Sequence, residues 1–202
     1  MLYMLYIVIL EKPMIRVLNQ LDYEHISYPT SLEPGAAVRE PYPTIAKAGC
    51  GLICACMLVS ALTEKQLEPE EAVRISMEAG ANHFGTDMPI FSAKIAEIYD
   101  FKLSVGTEQE ELLAGLHAGA SAILHAGKPQ GLFSDGGHFV LATAAKGTSI
   151  YVLDPSFRQE KYEKPYRQGL FILEPPYVVT PVQVVMEQIK YRTPSWYLFR
   201  KT

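Results

Sequence analysis

Three residues of the sequence have the chemistry of a nucleophile and its proton-transfer partners: Cys50, His138 and Asp154. A cysteine reacts as the thiolate, and a nearby histidine accepts the thiol proton and later gives it to the leaving group. A carboxylate that holds the imidazole fixes the tautomer and orientation of the ring. Together they predict a thiol-based site that acts on amide bonds through a thioester.

Cys50 lies between two glycines at the start of an uncharged stretch, AGCGLICACMLVSALT, that runs from Ala48 to Thr63. The absence of charge predicts a central helix that is apolar on every side and buried. If Cys50 is in the first turn, the unpaired N–H groups and the helix dipole favour its thiolate. The alternative is that Cys50 is one more small core residue.

Cys54 and Cys56 fit the core of the same helix. A metal site on C-x3-C-x-C would need ligands that point to different faces of one helix, so no metal is predicted, and no cofactor. All three cysteines lie too close together to join distant segments, and reduced thiols are expected.

Two β-rich segments, His138–Thr143 and Ser149–Leu153, flank Ala145-Lys146-Gly147, which resembles a three-residue hairpin loop. With that loop Ala144 pairs with Thr148. Counting back along the ladder places His138 directly opposite Asp154, with Cβ atoms about 5 Å apart. Gly136 and Gly137, which precede the histidine, would let a substrate backbone approach closely.

The other elements are helical in the first half of the chain and turn to strands in the second half. One helix is predicted from Pro69 to Gly80, and a second begins at Asp87, with Phe91, Ile95, Ile98 and Tyr99 on its packing face. A third is predicted after a capping box formed by Thr107 and Glu110. A fourth covers Val182–Ile189. Strands are predicted at Ser121–His125 and Trp196–Arg200, and a proline- and tyrosine-rich connection between Pro165 and Pro181. Because helices dominate the first half and strands the second, the fold class is α+β.

Composition and charge predict a single domain that does not bind nucleic acids. With 202 residues, 49% of them hydrophobic, residues 1–202 are predicted to form one domain. The net charge is −4 and the sequence has no basic run, so nucleic-acid binding is not expected.

The N-terminal stretch MLYMLYIVIL is apolar but too short to span a bilayer, and it lacks the basic start and cleavage site of a signal peptide. We interpret residues 1–19 as a strand extension continuing through Ile15–Leu18, whose open edge would pair with a second copy of the chain. A truncated leader is the alternative, and would imply a secreted or surface protein rather than a cytoplasmic one.

Three short motifs in this order carry a resemblance to a known family: GCG opening an apolar helix, GHFVL around His138, and VLDPS around Asp154. They resemble the papain-like cysteine peptidases of the bacteriocin-processing type, which cleave double-glycine leaders, and their stand-alone bacterial relatives. TIAKAGCG, the GTD segment at Gly85–Asp87 and the closing Trp/Phe strand also fit this group.

The resemblance implies a papain-like α+β fold and a peptide or amide substrate with small residues next to the cleaved bond. It makes Cys50 the nucleophile, His138 the general base and acid, and Asp154 the orienting carboxylate. The glutamine that such peptidases carry six residues before the nucleophile is Thr44 here. The Thr44 hydroxyl and the Cys50 backbone N–H are therefore the expected oxyanion donors, with Gln20 as a substitute.

Leu52 and Ile53 also depart from the family, which usually has proline and a small residue after the cysteine-glycine pair. These departures leave open a catalytically inactive papain-like domain that binds peptides or acts as an adaptor. A third reading is acyl transfer to an amine, because water and amines attack the same thioester.

Overall fold

The computed structural model of the protein describes residues 14–202. The helices in this range are α1 (Ile45–Ala48), α2 (Cys50–Leu62), α3 (Pro69–Glu78), α4 (Met88–Tyr99), α5 (Gln109–His117), α6 (Gln159–Tyr162) and α7 (Val182–Ile189), with 3-10 turns at Gln20–Tyr23 and Pro165–Arg167. The strands are β1 (Phe101–Gly106), β2 (Ser121–Ala126), β3 (His138–Lys146), β4 (Ser149–Leu153), β5 (Ile172–Glu174), β6 (Tyr177–Pro181) and β7 (Trp196–Lys201).

The strands form one sheet in the order β1-β7-β2-β3-β4-β6-β5, and every neighbouring pair is antiparallel. The first helices precede most of the sheet in the chain, and the predicted α+β class is confirmed. Because the chain order of the strands differs from their order in the sheet, segments far apart in sequence meet at its ends.

Both faces of the sheet are covered by helices. In β7, Tyr197 and Phe199 belong to a core cluster shared with α2, α3 and α4, whereas Trp196 and Leu198 belong to a second cluster shared with α5 and α7. This alternation is the period-2 pattern of a strand that is buried on both sides. The sheet therefore forms the middle layer between two sets of helices.

Helix α2 is the most buried helix of the first cluster. Every residue from Gly51 to Ser60 is buried, and Cys54 and Cys56 are 0% and 2% exposed. The prediction of a buried helix without a polar face is confirmed. Its lack of charge is explained by neighbours on all sides, namely α3, α4 and the strands β2 and β3.

Two predicted helix starts are confirmed and one is wrong. Pro69 occupies the first turn of α3, and the Asp87 side chain caps α4 by accepting the Ile90 N–H at 3.1 Å. Helix α5, in contrast, begins at Gln109, and its N-cap residue Glu108 makes no side-chain capping bond. The Thr107 hydroxyl donates instead to the Glu108 carboxylate, so the expected capping box is not formed.

Three strands were not predicted from the sequence. The edge strand β1 follows α4 directly, and its alternating sequence FKLSVG is the signal that could have indicated it. Strands β5 and β6 occupy the region expected to be an irregular connection between residues 165 and 181. They are short and separated by a Pro-Pro turn, which hides the strand pattern.

The predicted hairpin register is wrong. Lys146 pairs with Ser149, which leaves a two-residue loop, and a bulge between Ala142 and Ala144 shifts the ladder again, so that Leu141 pairs with Leu153. Asp154 lies one residue beyond β4 and is not the cross-strand partner of His138. The two side chains nevertheless meet, as described below.

The predicted N-terminal strand falls mostly on residues 1–13, outside the described residues. Within the described part, Ile15–Leu18 have no strand assignment, and the Arg16 N–H donates to the Ser60 hydroxyl at 3.0 Å. Among residues 14–202, no helix is long and apolar enough to cross a bilayer.

Helix α4 offers a matched pair for testing the core. Ile95 is 1% exposed, but Ile98, predicted to lie on the same packing face, is 43% exposed. We expect Ile95→Ala to lower the free energy of unfolding by about 2–5 kcal/mol because it leaves a cavity. Ile98→Ala should cost less than about 1 kcal/mol. Urea unfolding of both variants measures the difference, and equal losses would contradict this packing.

Candidate active site

Cys50 is the first residue of α2, after the N-cap residue Gly49. The backbone N–H groups of Gly51 and Phe139 contribute to lowering the pKa of its thiol. Gly51 has no room for a side chain, because an added Cβ would lie 2.7 Å from Met88 Cε and 3.1 Å from Thr86 Cβ. The glycine after the cysteine is thus explained by the close packing of α2 against the start of α4.

His138 is the first residue of β3 and is 7% exposed. Its Nε2 atom lies 2.8 Å from Asp154 Oδ1. This leaves Nδ1 for Cys50, whose side chain contributes to the raised pKa of the ring. The structure therefore joins His138 to Asp154 by a hydrogen bond, and Cys50 and His138 line the same cleft.

The Asp154 side chain is fully buried, and both of its oxygens are occupied. Oδ1 also accepts the Ser156 backbone N–H at 2.9 Å, while Oδ2 accepts the Tyr162 hydroxyl at 2.6 Å and the Lys161 ammonium at 2.5 Å. The Ser156 hydroxyl bridges the group, at 3.1 Å from His138 Nε2 and 2.9 Å from Lys161 Nζ. Sequence reasoning missed Ser156, Lys161 and Tyr162.

The pKa values of Cys50 and His138 move in opposite directions. Burial alone would raise the pKa of the Cys50 thiol, but the hydrogen bond and charge of His138 hold it below its ordinary value. Burial would lower the pKa of His138, but Asp154 and Cys50 raise it to about 9. Near neutral pH this arrangement favours a thiolate beside an imidazolium.

Burial raises the pKa of Asp154, but His138 and Lys161 together hold it well below its usual range. For Lys161 burial is the larger influence and lowers the pKa, although Asp154 acts in the opposite direction. The carboxylate is therefore ionised and shared by two cations. Its charge is not available to His138 alone.

A cleft of about 700 Å³ opens at Cys50 and His138. Its walls come from the end of α1, the GTD segment and start of α4, the end of β2, the start of β3 and the segment before β7. The lining residues are Lys47, Ala48, Cys50, Phe84, Gly85, Thr86, Asp87, Met88, Pro89, His125, Gly137, His138, Phe139, Arg192, Thr193 and Tyr197. The candidate nucleophile thus faces a cavity large enough for several residues of a peptide.

Comparison with solved structures identifies the fold. A double-glycine motif protease from an AMS/PCAT transporter, solved with its leader peptide, matches with a TM-score of 0.51 and 16% identity over 95% of this chain and 94% of that one. A Bacillus anthracis protein described as a C39-like peptidase matches with a TM-score of 0.53 and 11% identity over 77% of this chain and 90% of that one. The chain has the papain-like peptidase fold. No protein-family model and no curated protein matches the sequence.

The residues that depart from the papain-like pattern lie mostly away from the cleft. Leu52 and Ile53 are fully buried core residues and are absent from the cleft lining. Thr44 is the N-cap residue of α1, and its hydroxyl is buried with no hydrogen-bond partner in the part of the chain that the structure describes. Gln20 donates through Nε2 to the Ala46 carbonyl at 2.8 Å. Neither Thr44 nor Gln20 lines the cleft, so their oxyanion roles stay predictions.

Two cleft residues of this papain-like fold were not singled out from the sequence as site residues. His125, at the end of β2, stacks on Phe139 with ring centroids 4.2 Å apart, and burial together with Arg192 lowers its pKa to about 4. Arg192 also lines the cleft, in the segment between α7 and β7. Across residues 14–202, no group of three or more His, Cys, Asp or Glu side chains is arranged to hold a metal.

The three thiols should differ in reactivity. Iodoacetamide at neutral pH is expected to label Cys50 much faster than Cys54 or Cys56, because burial raises the pKa of the latter two while His138 lowers that of Cys50. His138→Ala should slow the labelling of Cys50 and narrow the difference, while the burial of Cys54 and Cys56 keeps them slow. Time-resolved peptide mass spectrometry measures the three rates, and equal rates in the wild-type protein would contradict the site geometry.

Proposed function

We propose that this protein is a cysteine peptidase or amide hydrolase that uses Cys50, His138 and Asp154 as its catalytic residues. The observation that carries the proposal is that Cys50 and His138 line one open cleft while the His138 ring is bonded to the buried Asp154 carboxylate at 2.8 Å. The papain-like fold supports it. A peptide substrate agrees with the neighbouring protease that was solved with a leader peptide.

The proposed reaction has two halves. The Cys50 thiolate attacks the carbonyl carbon, and the His138 imidazolium gives its proton to the departing amine, which leaves a thioester on Cys50. His138, now neutral, takes a proton from a water molecule that attacks the thioester. The carboxylic acid product leaves, and the thiolate and imidazolium are restored. Asp154 holds the ring throughout and is not itself protonated.

The oxyanion that forms in each half needs hydrogen-bond donors. We propose the Cys50 backbone N–H as the first donor, because N–H groups in the first turn of a helix have no partner within the helix. We propose Thr44 as the second donor because its hydroxyl is buried and unsatisfied among the described residues. A shift of the segment before α1 would be needed to bring that hydroxyl to the cleft.

Cleavage of a panel of fluorogenic peptides tests the function. We expect Cys50→Ala to reduce hydrolysis by roughly a thousandfold or more, because no other group replaces the nucleophile. Cys56→Ala is the matched control, since Cys56 is buried on the same helix and plays no part in the site. Loss of activity in both variants, or in neither, would contradict the proposal, and a wild-type protein that binds peptides without cleaving them would favour the inactive-module alternative.

Lys161 is expected to set the alkaline limit of activity. In the wild-type protein kcat/KM should fall as pH rises through about 9, where His138 loses the proton that the leaving amine needs. Lys161→Met removes the cation that offsets Asp154, so the carboxylate should hold the imidazolium more strongly and move this limb upward by roughly 0.5–1 pH unit.

The control for Lys161→Met is Lys164→Met, which removes an exposed lysine that pairs with Asp135 and not with Asp154. Lys161→Arg should keep the wild-type profile if the charge is what matters. A limb that stays in place, or moves to lower pH, in Lys161→Met would show that Lys161 does not act on His138 through Asp154.

A further inference from the structure

Arg192 is an exposed arginine on the wall of the cleft that contains Cys50 and His138. It lies in the short segment between α7 and β7, and its backbone N–H donates to the Ile189 carbonyl at 3.0 Å. The catalytic steps proposed above do not use it. Its position raises the question of which part of a substrate it would contact.

The Arg192 side chain lies close to two glycines at the cleft wall. A Cβ atom on Gly127 would lie 2.7 Å from Arg192 Nε, and one on Gly137 would lie 3.3 Å from Nη2. Gly127 directly follows β2, and Gly137 directly precedes His138. The absence of side chains at both positions leaves room for the guanidinium next to the residue that directly precedes His138.

The guanidinium has no carboxylate within salt-bridge distance among residues 14–202. The acidic residue that lines the cleft, Asp87, is already engaged with His83 at 2.7 Å and with the N-terminus of α4. Lys47 adds a second cation to the lining. Apart from Cys50 and His138, the cleft lining therefore contains two cations, Arg192 and Lys47, and one carboxylate, Asp87, which already has hydrogen-bond partners.

The positive charge of Arg192 acts on His125, which also lines the cleft. Burial is the larger cause of the lowered pKa of His125 and the charge of Arg192 is the smaller one, so this imidazole is neutral near pH 7. His125 therefore does not compete with Arg192 for an anion. A carboxylate of the substrate placed here would receive paired, charge-assisted N–H donors from a planar guanidinium.

We propose that Arg192 makes this protein selective for substrates that carry a carboxylate close to the scissile bond, either an acidic side chain or the chain terminus. This inference names the substrate class of the proposed hydrolase and rests on that function. The charge pairing itself is independent of turnover, because it requires only that an anion reach the space beside Cys50.

Alkylation of Cys50 by iodoacetate and by iodoacetamide tests the pairing without any hydrolysis. The two reagents deliver a carboxylate and its neutral amide counterpart to the same sulfur. We expect the ratio of their rates, iodoacetate over iodoacetamide, to fall roughly threefold to tenfold in Arg192→Gln. Arg200→Gln, at an exposed arginine on β7 outside the cleft, is the matched control and should leave the ratio unchanged.

The outcomes separate the alternatives. An unchanged ratio in Arg192→Gln, or a fall seen only in Lys47→Gln, would overturn the assignment to Arg192. An equal fall in Arg200→Gln would show a general effect of net charge and would also overturn it. The expected ratio in a protein that cleaves no peptide would refute the hydrolase and leave the carboxylate site standing.

Peptide pools then identify the source of the carboxylate. In one pair of pools a single position is Asp or Asn, and in a second pair the C-terminus is free or amidated. A preference for Asp that Arg192→Gln abolishes assigns an acidic side chain, whereas a preference for the free terminus assigns the terminal carboxylate. Equal cleavage of all pools by the wild-type protein would contradict the inferred selectivity.

Discussion

The buried carboxylate of Asp154 is the group on which the arrangement of the site depends. A charge without solvent is stable only when every oxygen has a donor, and here donors come from β3, the turn after β4 and helix α6. These bonds fix the His138 ring and tie α6 to the sheet. Removing one partner would leave the others unsatisfied in the interior, so the orientation of the imidazole and the local fold are maintained by the same bonds.

Helix α2 links the site to the core in a similar way. Its body is buried by α3, α4 and the sheet, while the Gly51 N–H in its first turn contributes to lowering the pKa of the Cys50 thiol. Close packing at Gly51 sets how near the thiol can lie to β3. Cys50, the proposed nucleophile, is therefore held by the most buried helix of its core cluster rather than by a flexible loop, which favours a fixed position relative to His138.

The hairpin between β3 and β4 shows how local reasoning reached a correct contact by an incorrect route. Loop residues predicted a three-residue turn and a direct pairing of His138 with Asp154. The actual loop has two residues, and a bulge changes the register, so that Asp154 lies beyond the ladder. The contact exists because Asp154 turns into the interior toward Lys161 and Tyr162. A bulge depends on packing from both faces of the sheet, which a strand pattern does not record.

The sequence by itself determined what local physics controls: a buried helix without charge, the start of α3 at Pro69, the cap at Asp87 and the α+β order of the elements. It also indicated Cys50, His138 and Asp154 by residue type, order and family likeness. Only the tertiary structure decided what depends on segments that are distant in the chain, such as the contact of Lys161 with the carboxylate, the position of Thr44 outside the cleft, and the approach of Arg192 to Gly127 and Gly137. These contacts depend on strand order and close packing, and no local pattern of residues encodes them.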